Sequence, residues 1–183
     1  MQILNKSLIY RGHAFQVENV HVRLPDGRQR DYDLINHRAA VTILPLDADG
    51  EVWFVRQYRI GAGQTLLELP AGVLEENEDP AEGAAREIRE EIGMAAGRLL
   101  KIGGFFMAPG YSSEWMEVFL ATDLNPESLP QDDDEFLEVV HLPLEEVMAM
   151  AVRGEIRDGK TLTALLLVQP HLPGKDPGVE DIE

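Results

Sequence analysis

The sequence predicts a domain of the α/β type (α+β), in which a mixed β-sheet lies between α-helices and follows a small antiparallel sheet at the N-terminus. Three observations favour this fold class. Strand and helix patterns alternate along the chain, several strands are joined by short turns that suit antiparallel pairing, and the first segment contains strand and turn patterns only. A chain of 183 residues is long enough to bury one core.

The first segment, residues 3–36, has the pattern of a separate small sheet. Val20 and Val22 alternate with polar residues, and the triplet Pro-Asp-Gly at 25–27 predicts a turn before a second extended piece. Because so small a sheet is marginal when isolated, we expect it to pack on the main domain or on a second copy of the chain. The boundary is expected near residue 37.

The remaining elements are predicted from periodicity and from start and stop signals. Asp79 suits an N-cap, Pro80 the first helical position and Gly93 the left-handed residue after the last turn, so we expect a helix at residues 80–92. The Asp-Gly pair at 49–50 predicts a hairpin. Strands are expected at 39–46, 51–59, 66–69, 99–107, 115–121 and 136–142, further helices at 144–153 and 160–169, and a polar loop at 125–135. Three regions follow: an N-terminal β extension (1–37), the main domain (38–172) and a flexible tail (173–183).

The composition limits the partners of the chain. Sixteen basic and thirty-three acidic residues give a net charge of −17, which disfavours binding to nucleic acid or to an anionic membrane. The absence of cysteine excludes a disulfide scaffold and a thiolate metal site, and is compatible with a reducing compartment. Since the sequence has neither a membrane-spanning run nor a secretion signal, we expect a cytoplasmic protein without nucleic-acid or membrane partners.

One side of the helix expected at residues 80–92 is unusually acidic. Glu87, Glu90 and Glu91 lie within an arc of about 100°, beside an apolar stripe that includes Ala84 and Ile88. Like charges at these spacings destabilise a helix by roughly 0.2–0.5 kcal/mol per pair. Either the carboxylates form a solvated surface, which is common on helices, or a cation neutralises them. Magnesium prefers such oxygen ligands.

The acidic side is part of a longer pattern that decides between these two interpretations. The pattern resembles the Nudix box at every fixed position, with aliphatic residues at the two places that require them. Its fixed positions are Gly72, Glu78, Arg86, Glu87, Glu90, Glu91 and Gly93.

This resemblance implies a Nudix hydrolase, which cleaves a diphosphate that joins a nucleoside to another group. It implies that Glu87 and Glu91 bind Mg²⁺ or Mn²⁺, with Glu90 as a further ligand or catalytic group and the carbonyl of Ala71 completing the site. It also implies that Gly72 lets its loop approach the metal. Arg86 and Glu78 would hold that loop against the helix by ion pairing.

A second region resembles the ADP-ribose pyrophosphatase branch of this family. Residues 108–114, Ala-Pro-Gly-Tyr-Ser-Ser-Glu, are similar to its S-P-G-x-S-x-E loop with alanine at the first position. Residues 55–59 and 67–72 are also similar. The resemblance implies cleavage of ADP-ribose to AMP and ribose 5-phosphate, and a homodimer whose subunits exchange their N-terminal sheets. The candidate substrate-binding residues are Arg59, Arg56, Pro109, Gly110 and Glu114.

Several alternatives stay open. Close relatives in this branch act on GDP-mannose, other nucleotide sugars or dinucleotides, and a ligand-sensing module would keep the fold without catalysis. In this branch the general base lies on the acidic loop before a late strand, which points to Glu135 with Asp133 second; a merely solvated acidic run is the other interpretation. Arg56 is alternatively a solvent-facing residue. His37 and His141 are expected to be structural.

Overall fold

The computed structural model describes residues 1–131 and 136–172. In chain order the strands are β1 (Gln2–Arg11), β2 (Phe15–Arg23), β3 (Gln29–His37), β4 (Ala40–Pro45), β5 (Glu51–Arg59), β6 (Gln64–Glu68), β7 (Ala71–Val73), β8 (Met94–Phe106), β9 (Trp115–Pro126) and β10 (Glu138–Pro143). The helices are α1 (Pro80–Glu91), α2 (Leu144–Val152) and α3 (Gly159–Leu167), and a 3₁₀ turn follows at Gln169–His171. Glu135, Asp133 and the predicted tail lie outside the described residues. No helix in the described part of the chain is long and apolar enough to cross a membrane.

The N-terminal segment forms the predicted small antiparallel sheet, in the order β1-β2-β3. Gly27, in the turn between β2 and β3, has a φ of 86°, a conformation that glycine adopts without steric cost. Every residue of β1 is exposed. The sheet is joined to the main domain at the end of β3, where Ile35 N donates to Tyr111 O at 2.7 Å and Ser113 N donates to Ile35 O at 2.9 Å.

The main domain contains a four-stranded mixed sheet in the order β7-β4-β9-β8 and a three-stranded sheet in the order β10-β5-β6. Strands β4 and β9 are parallel, whereas β4 with β7 and β8 with β9 are antiparallel. All six residues of β4 are buried, as expected for a central strand that is covered on both faces.

Helices cover both faces of the mixed sheet, which confirms the predicted sandwich. One buried cluster includes Val41 of β4 and Ile88 of α1. The cluster on the other face includes Leu44 of β4 with Val147 of α2 and Leu165 of α3. Alternate residues of β4 therefore point to opposite layers, which is the normal geometry of a strand.

The predicted hairpin between β4 and β5 is limited to its turn. Gly50 has a φ of 80° there, and the two segments are connected by the antiparallel bridge between Leu46 and Val52 and by the hydrogen bond from Asp47 N to Glu51 O at 3.0 Å. Beyond that bridge the strands enter different sheets. The physical reason is that β4 already pairs with β7 on one edge and with β9 on the other, so it has no free edge for β5.

Strands β8 and β9 are longer than predicted. β8 begins at Met94 rather than at residue 99, and β9 continues to Pro126, so the loop expected at 125–135 starts later. Residues 94–98 include alanine and glycine, which are poor strand formers. Gly93, with a φ of 70°, turns the chain from α1 into β8, and pairing with β9 supplies the order that the local sequence lacks.

Candidate active site

Helix α1 buries two of the three glutamates on its acidic side. The helix begins where the Asp79 side chain accepts from Ala81 N at 2.9 Å, as the N-cap signal predicts. Glu87 is 7% exposed and Glu91 is 3% exposed. Because ionised carboxylates are rarely buried without a compensating partner, the interpretation as a solvated acidic surface fails for both residues.

The short strand β7 lies against these two carboxylates. Ala71 N donates to Glu91 Oε2 at 3.2 Å. A Cβ atom added to Gly72 would lie 1.9 Å from Glu87 Oε1 and 2.0 Å from its carboxyl carbon, far inside van der Waals contact. A side chain at position 72 would therefore have to displace the Glu87 carboxylate or the strand, because the backbone of β7 reaches the carboxylate directly.

Arg86 connects three carboxylates at the edge of the site. Its Nε and Nη2 donate to Glu78 Oε1 and Oε2, each at 2.9 Å. Its Nη1 donates to Glu87 Oε1 at 2.7 Å and to Glu90 Oε2 at 2.8 Å. The hydrogen bond from Arg86 lowers the pKa of Glu78, and the same bond raises the pKa of Arg86. This guanidinium fixes Glu78, which precedes the helix, to the acidic side of α1.

A cavity of about 380 Å³ opens beside β7. Four of the predicted site residues line it: Arg59 of β5, Ala71 and Gly72 of β7, and Glu114 at the end of the loop before β9. The sheet topology brings β7 and the start of β9 together, since both strands flank β4, whereas Arg59 comes from the three-stranded sheet. The cavity therefore joins the loop region that resembles the substrate loop to β7, whose backbone contacts Glu87 and Glu91. The carboxylates of α1 are themselves not part of its lining.

The other predicted site residues lie elsewhere or are not described. Arg56 is outside the cavity lining and contacts Glu138 of β10 at 3.4 Å. Pro109 and Gly110 are exposed on the loop before Glu114 and are also outside the lining. Glu135 and Asp133 fall outside the described residues, so the assignment of the general base stays a prediction.

Sequence reasoning missed three charged residues of the cavity, Glu68, Asp158 and Lys160. Glu68 is 1% exposed and Lys160 is 6% exposed. Arg59 binds the Glu68 carboxylate with both arms of its guanidinium, at 2.9 and 2.8 Å. No local signal distinguishes Lys160 from an ordinary helix lysine, because its partner Glu68 is 92 positions away in the chain. His37, expected to be structural, also lines the cavity.

The oxygen donors beside β7 fit a hard divalent cation, which takes carboxylate and carbonyl oxygens. The buried carboxylates of Glu87 and Glu91 face a strand from which a side chain is excluded at Gly72. Among residues 1–131 and 136–172 no three His, Asp or Glu side chains are arranged as a metal-binding group. Arg86 donates to one carboxylate oxygen of Glu87 and to one of Glu90.

The fold, the buried carboxylates and the glycine contact agree with the family that the sequence pattern resembles. The family model of the NUDIX domain matches residues 36–165. The chain belongs to the Nudix hydrolase family. Nudix hydrolases generally use divalent metal ions, which agrees with the oxygen donors beside β7.

Similarity to individual Nudix proteins extends over the N-terminal sheet. The ADP-ribose pyrophosphatase of Bacillus subtilis (strain 168) is 35% identical over 166 residues, which are 90% of this chain and 90% of that protein. The crystal structure of an ADP compounds hydrolase matches with a TM-score of 0.85 at 32% identity and covers 96% of both chains. A GDP-mannose pyrophosphatase of Yersinia pestis (strain Pestoides F) is 34% identical over 132 residues, which are 67% of this chain and 66% of that protein.

Proposed function

We propose that this Nudix hydrolase cleaves the diphosphate of ADP-ribose to give AMP and ribose 5-phosphate. The observation that supports it most is the single cavity lined by Arg59, Glu114 and the β7 backbone beside Glu87 and Glu91. A cation, Arg59, and a carboxylate, Glu114, in the same lining suit a substrate with a diphosphate and a ribose. The similarity to an ADP-ribose pyrophosphatase over 90% of both chains agrees with this choice.

We infer that Glu87 and Glu91 hold Mg²⁺ (or Mn²⁺), with Glu90 and the carbonyl of Ala71 as further ligands. When bound, such an ion polarises a phosphoryl oxygen and lowers the pKa of a coordinated water. For Glu90 to bind the ion through Oε2, the hydrogen bond from Arg86 to that oxygen at 2.8 Å must break. Arg86 keeps Glu78 in either case, through the two separate bonds at 2.9 Å.

The remaining roles follow from position in the cavity. Arg59 has a side chain that is 42% exposed, and its guanidinium donates to the diphosphate. Glu114 accepts hydrogen bonds from the ribose or joins the metal site, on a loop whose turn is formed by Pro109 and Gly110. Arg56 is a weaker candidate for substrate contact, since it faces Glu138. Glu135, with Asp133 as the second choice, is proposed as the general base.

The second candidate function is hydrolysis of another nucleotide sugar such as GDP-mannose, or of a dinucleotide. The identity of 34% with a GDP-mannose pyrophosphatase favours it. The cavity residues that we assign to diphosphate and metal serve either substrate equally. A non-catalytic sensing role is disfavoured, because a pure binder has little need for buried like-charged carboxylates.

Release of AMP from ADP-ribose in the presence of MgCl₂ tests the proposal. We expect Glu91→Gln, which keeps an acceptor for Ala71 N, to lose at least about a hundredfold in kcat, a typical scale for electrostatic catalytic groups. Glu82→Gln, on the exposed first turn of α1, is the matched control and is expected to retain full activity. Faster turnover of GDP-mannose than of ADP-ribose would replace the first candidate with the second.

We further propose a homodimer that assembles through residues 3–36 and works in the cytoplasm. The apolar side chains on β1 support the dimer, since Ile3 is 59% exposed and Ile9 is 60% exposed. An exposed strand with apolar side chains is a surface that proteins normally cover. The lack of cysteine supports a reducing compartment.

A further inference from the structure

The cavity contains a charge cluster that the proposed metal site does not use. We call it the Glu68 cluster; it consists of Arg59 of β5, Glu68 of β6, and Asp158 and Lys160 at the start of α3. Two cations and two carboxylates balance each other in charge. All four residues line the cavity, as Glu114 does.

Lys160 occupies a position that is costly for a lysine. Its side chain is only 8% exposed, and a buried ammonium group is unfavourable unless it is paired. It is also the second residue of α3, after the N-cap Asp158, where the helix dipole disfavours positive charge. An apolar side chain of similar volume would pack there without these penalties. A positive charge at position 160 is explained if the ammonium group of Lys160 has a role in ligand binding at the cavity.

Within the cluster, Glu68 connects a buried cation to a more accessible one. Lys160 Nζ donates to Glu68 Oε2 and lies 3.1 Å from Asp158 Oδ2. Arg59 Nη2 donates to the same oxygen of Glu68 at 2.8 Å, and Arg59 Nε donates to Glu68 Oε1 at 2.9 Å. Lys160, with 8% of its side chain exposed, is therefore the buried partner of Glu68. Arg59, with 42% of its side chain exposed, is the more accessible partner.

Sharing Glu68 between two cations has an electrostatic consequence. Burial alone would raise the pKa of Glu68, but the hydrogen bond from Arg59 and the charge of Lys160 together lower it. When Arg59 turns a donor toward a substrate oxygen, Lys160 remains as the counter-ion of Glu68. Without Lys160, each shift of Arg59 toward substrate would leave a buried carboxylate with less compensation, which is strongly unfavourable.

We propose that Lys160 is a positioning residue for the diphosphate. It keeps Glu68 in place beside the Arg59 guanidinium and stays as the counter-ion of Glu68 when Arg59 donates to the substrate. This inference rests on the proposed function in one respect, namely that Arg59 binds a diphosphate. It assigns to Lys160 no contact with the substrate. Its effect is therefore expected on substrate affinity, and only in protein that contains Arg59.

The test is a double-mutant cycle of Lys160→Met and Arg59→Met, read by steady-state hydrolysis of ADP-ribose and by calorimetric binding of ADP-ribose. We expect Lys160→Met to raise KM and Kd about tenfold, the scale of one weakened charged hydrogen bond, with a smaller change in kcat. In the Arg59→Met background the same substitution is expected to add less than about twofold, because residues that act as one unit are not additive. Lys160→Arg, which keeps the charge, is expected to restore most of the affinity.

Lys101→Met is the matched control, because it removes a lysine that pairs with Glu117 at 2.8 Å outside the cavity lining. Additive losses in the cycle, or no loss in Lys160→Met, would overturn the inference. If Lys160→Met does not fold, Lys160→Gln, which keeps a donor without charge, takes its place under the same criteria. Binding of ADP-ribose without hydrolysis would overturn the proposed function alone. Failure of the wild-type protein to bind either ADP-ribose or GDP-mannose would overturn both.

Discussion

Gly72 lies so close to Glu87 that a Cβ atom at position 72 would be 1.9 Å from the carboxylate oxygen Oε1. The contact places the backbone of β7 against the acidic side of α1, where the neighbouring residue Ala71 donates to Glu91. Any side chain at position 72 must therefore displace either the strand or the carboxylate. Both are parts of the proposed metal site.

Gly72→Ala tests this contact. We expect it to lower the activity on ADP-ribose by at least about tenfold and to destabilise the fold by about 1–3 kcal/mol, the usual cost of overpacking. Steady-state kinetics and thermal unfolding measure the two effects. Gly61→Ala is the matched control, since its Cβ would meet nothing within 4 Å. Wild-type activity in Gly72→Ala would contradict the assignment of Glu87 to the metal site.

Arg86→Met removes the cation that connects Glu78, Glu87 and Glu90. Without added metal we expect the free energy of unfolding to fall by about 2 kcal/mol, because partly buried carboxylates lose their counter-ion. For a domain of this size this corresponds to a decrease of about 4–8 °C in Tm. MgCl₂ is expected to raise the Tm of this variant more than that of the wild type, because a bound cation replaces the lost charge. Differential scanning fluorimetry with EDTA or MgCl₂ measures both effects.

The control for Arg86→Met is Arg89→Met on the same helix, which removes a contact of 3.2 Å with the more exposed Glu127. We expect Arg89→Met to change Tm by at most about 4 °C, since exposed ion pairs contribute about 0–1 kcal/mol. An equal response to MgCl₂ in Arg86→Met and wild type would argue against metal binding at the carboxylates that Arg86 contacts.

We expect the folded protein to become less stable at acidic pH because Glu78 becomes protonated. Its pKa in the folded protein is lowered by the hydrogen bond from Arg86, below the value of about 4.3 in an unfolded chain. The ionised group therefore stabilises the fold above that unfolded value, and this contribution is lost as the pH falls through the folded pKa. Urea unfolding from pH 7 to pH 3 should show Glu78→Gln less stable by about 1–3 kcal/mol at neutral pH, with the difference disappearing in acid. A difference that stays constant with pH would contradict this assignment.

Assembly is tested on β1. We expect light scattering to give a dimer mass for the wild type at micromolar concentration and a monomer mass for the double variant Ile3→Glu with Ile9→Glu. The reason is that both side chains are more than half exposed on the strand proposed to meet the partner. Val152→Glu with Leu166→Glu is the control, because these residues are 86% and 70% exposed outside the N-terminal sheet. A monomeric wild type would exclude the proposed dimer.

Local chemistry made α1 and its boundaries predictable from the sequence. The N-cap at Asp79, proline at the first position and glycine in the left-handed conformation after the last turn each depend on neighbouring residues only. Helical periodicity placed Glu87 and Glu91 on one side of the helix, and the resemblance to the Nudix box then singled them out as metal ligands. Their burial was not predictable, since it depends on how β7 packs against the helix.

The parts that sequence reasoning missed depend on contacts between distant segments. The Asp49-Gly50 turn was correctly predicted, but the choice of sheet for β5 depends on which strands already flank β4. In the same way, Glu68 and Lys160 meet only because β6 and the start of α3 converge at one cavity. Periodicity and turn signals carry no information on such convergence.

The hydrogen bonds between Ile35 and residues 111 and 113 give the N-terminal sheet a second consequence. Ile35 N donates to Tyr111 O, and Ser113 N donates to Ile35 O, so β3 holds the second half of the loop that ends at Glu114. Ordering a loop normally costs conformational entropy at the moment of binding. Here the loop is already ordered when the protein has folded. The N-terminal extension thus preorganises one wall of the cavity, and shortening it would weaken substrate binding even though no residue of β1 lines the site.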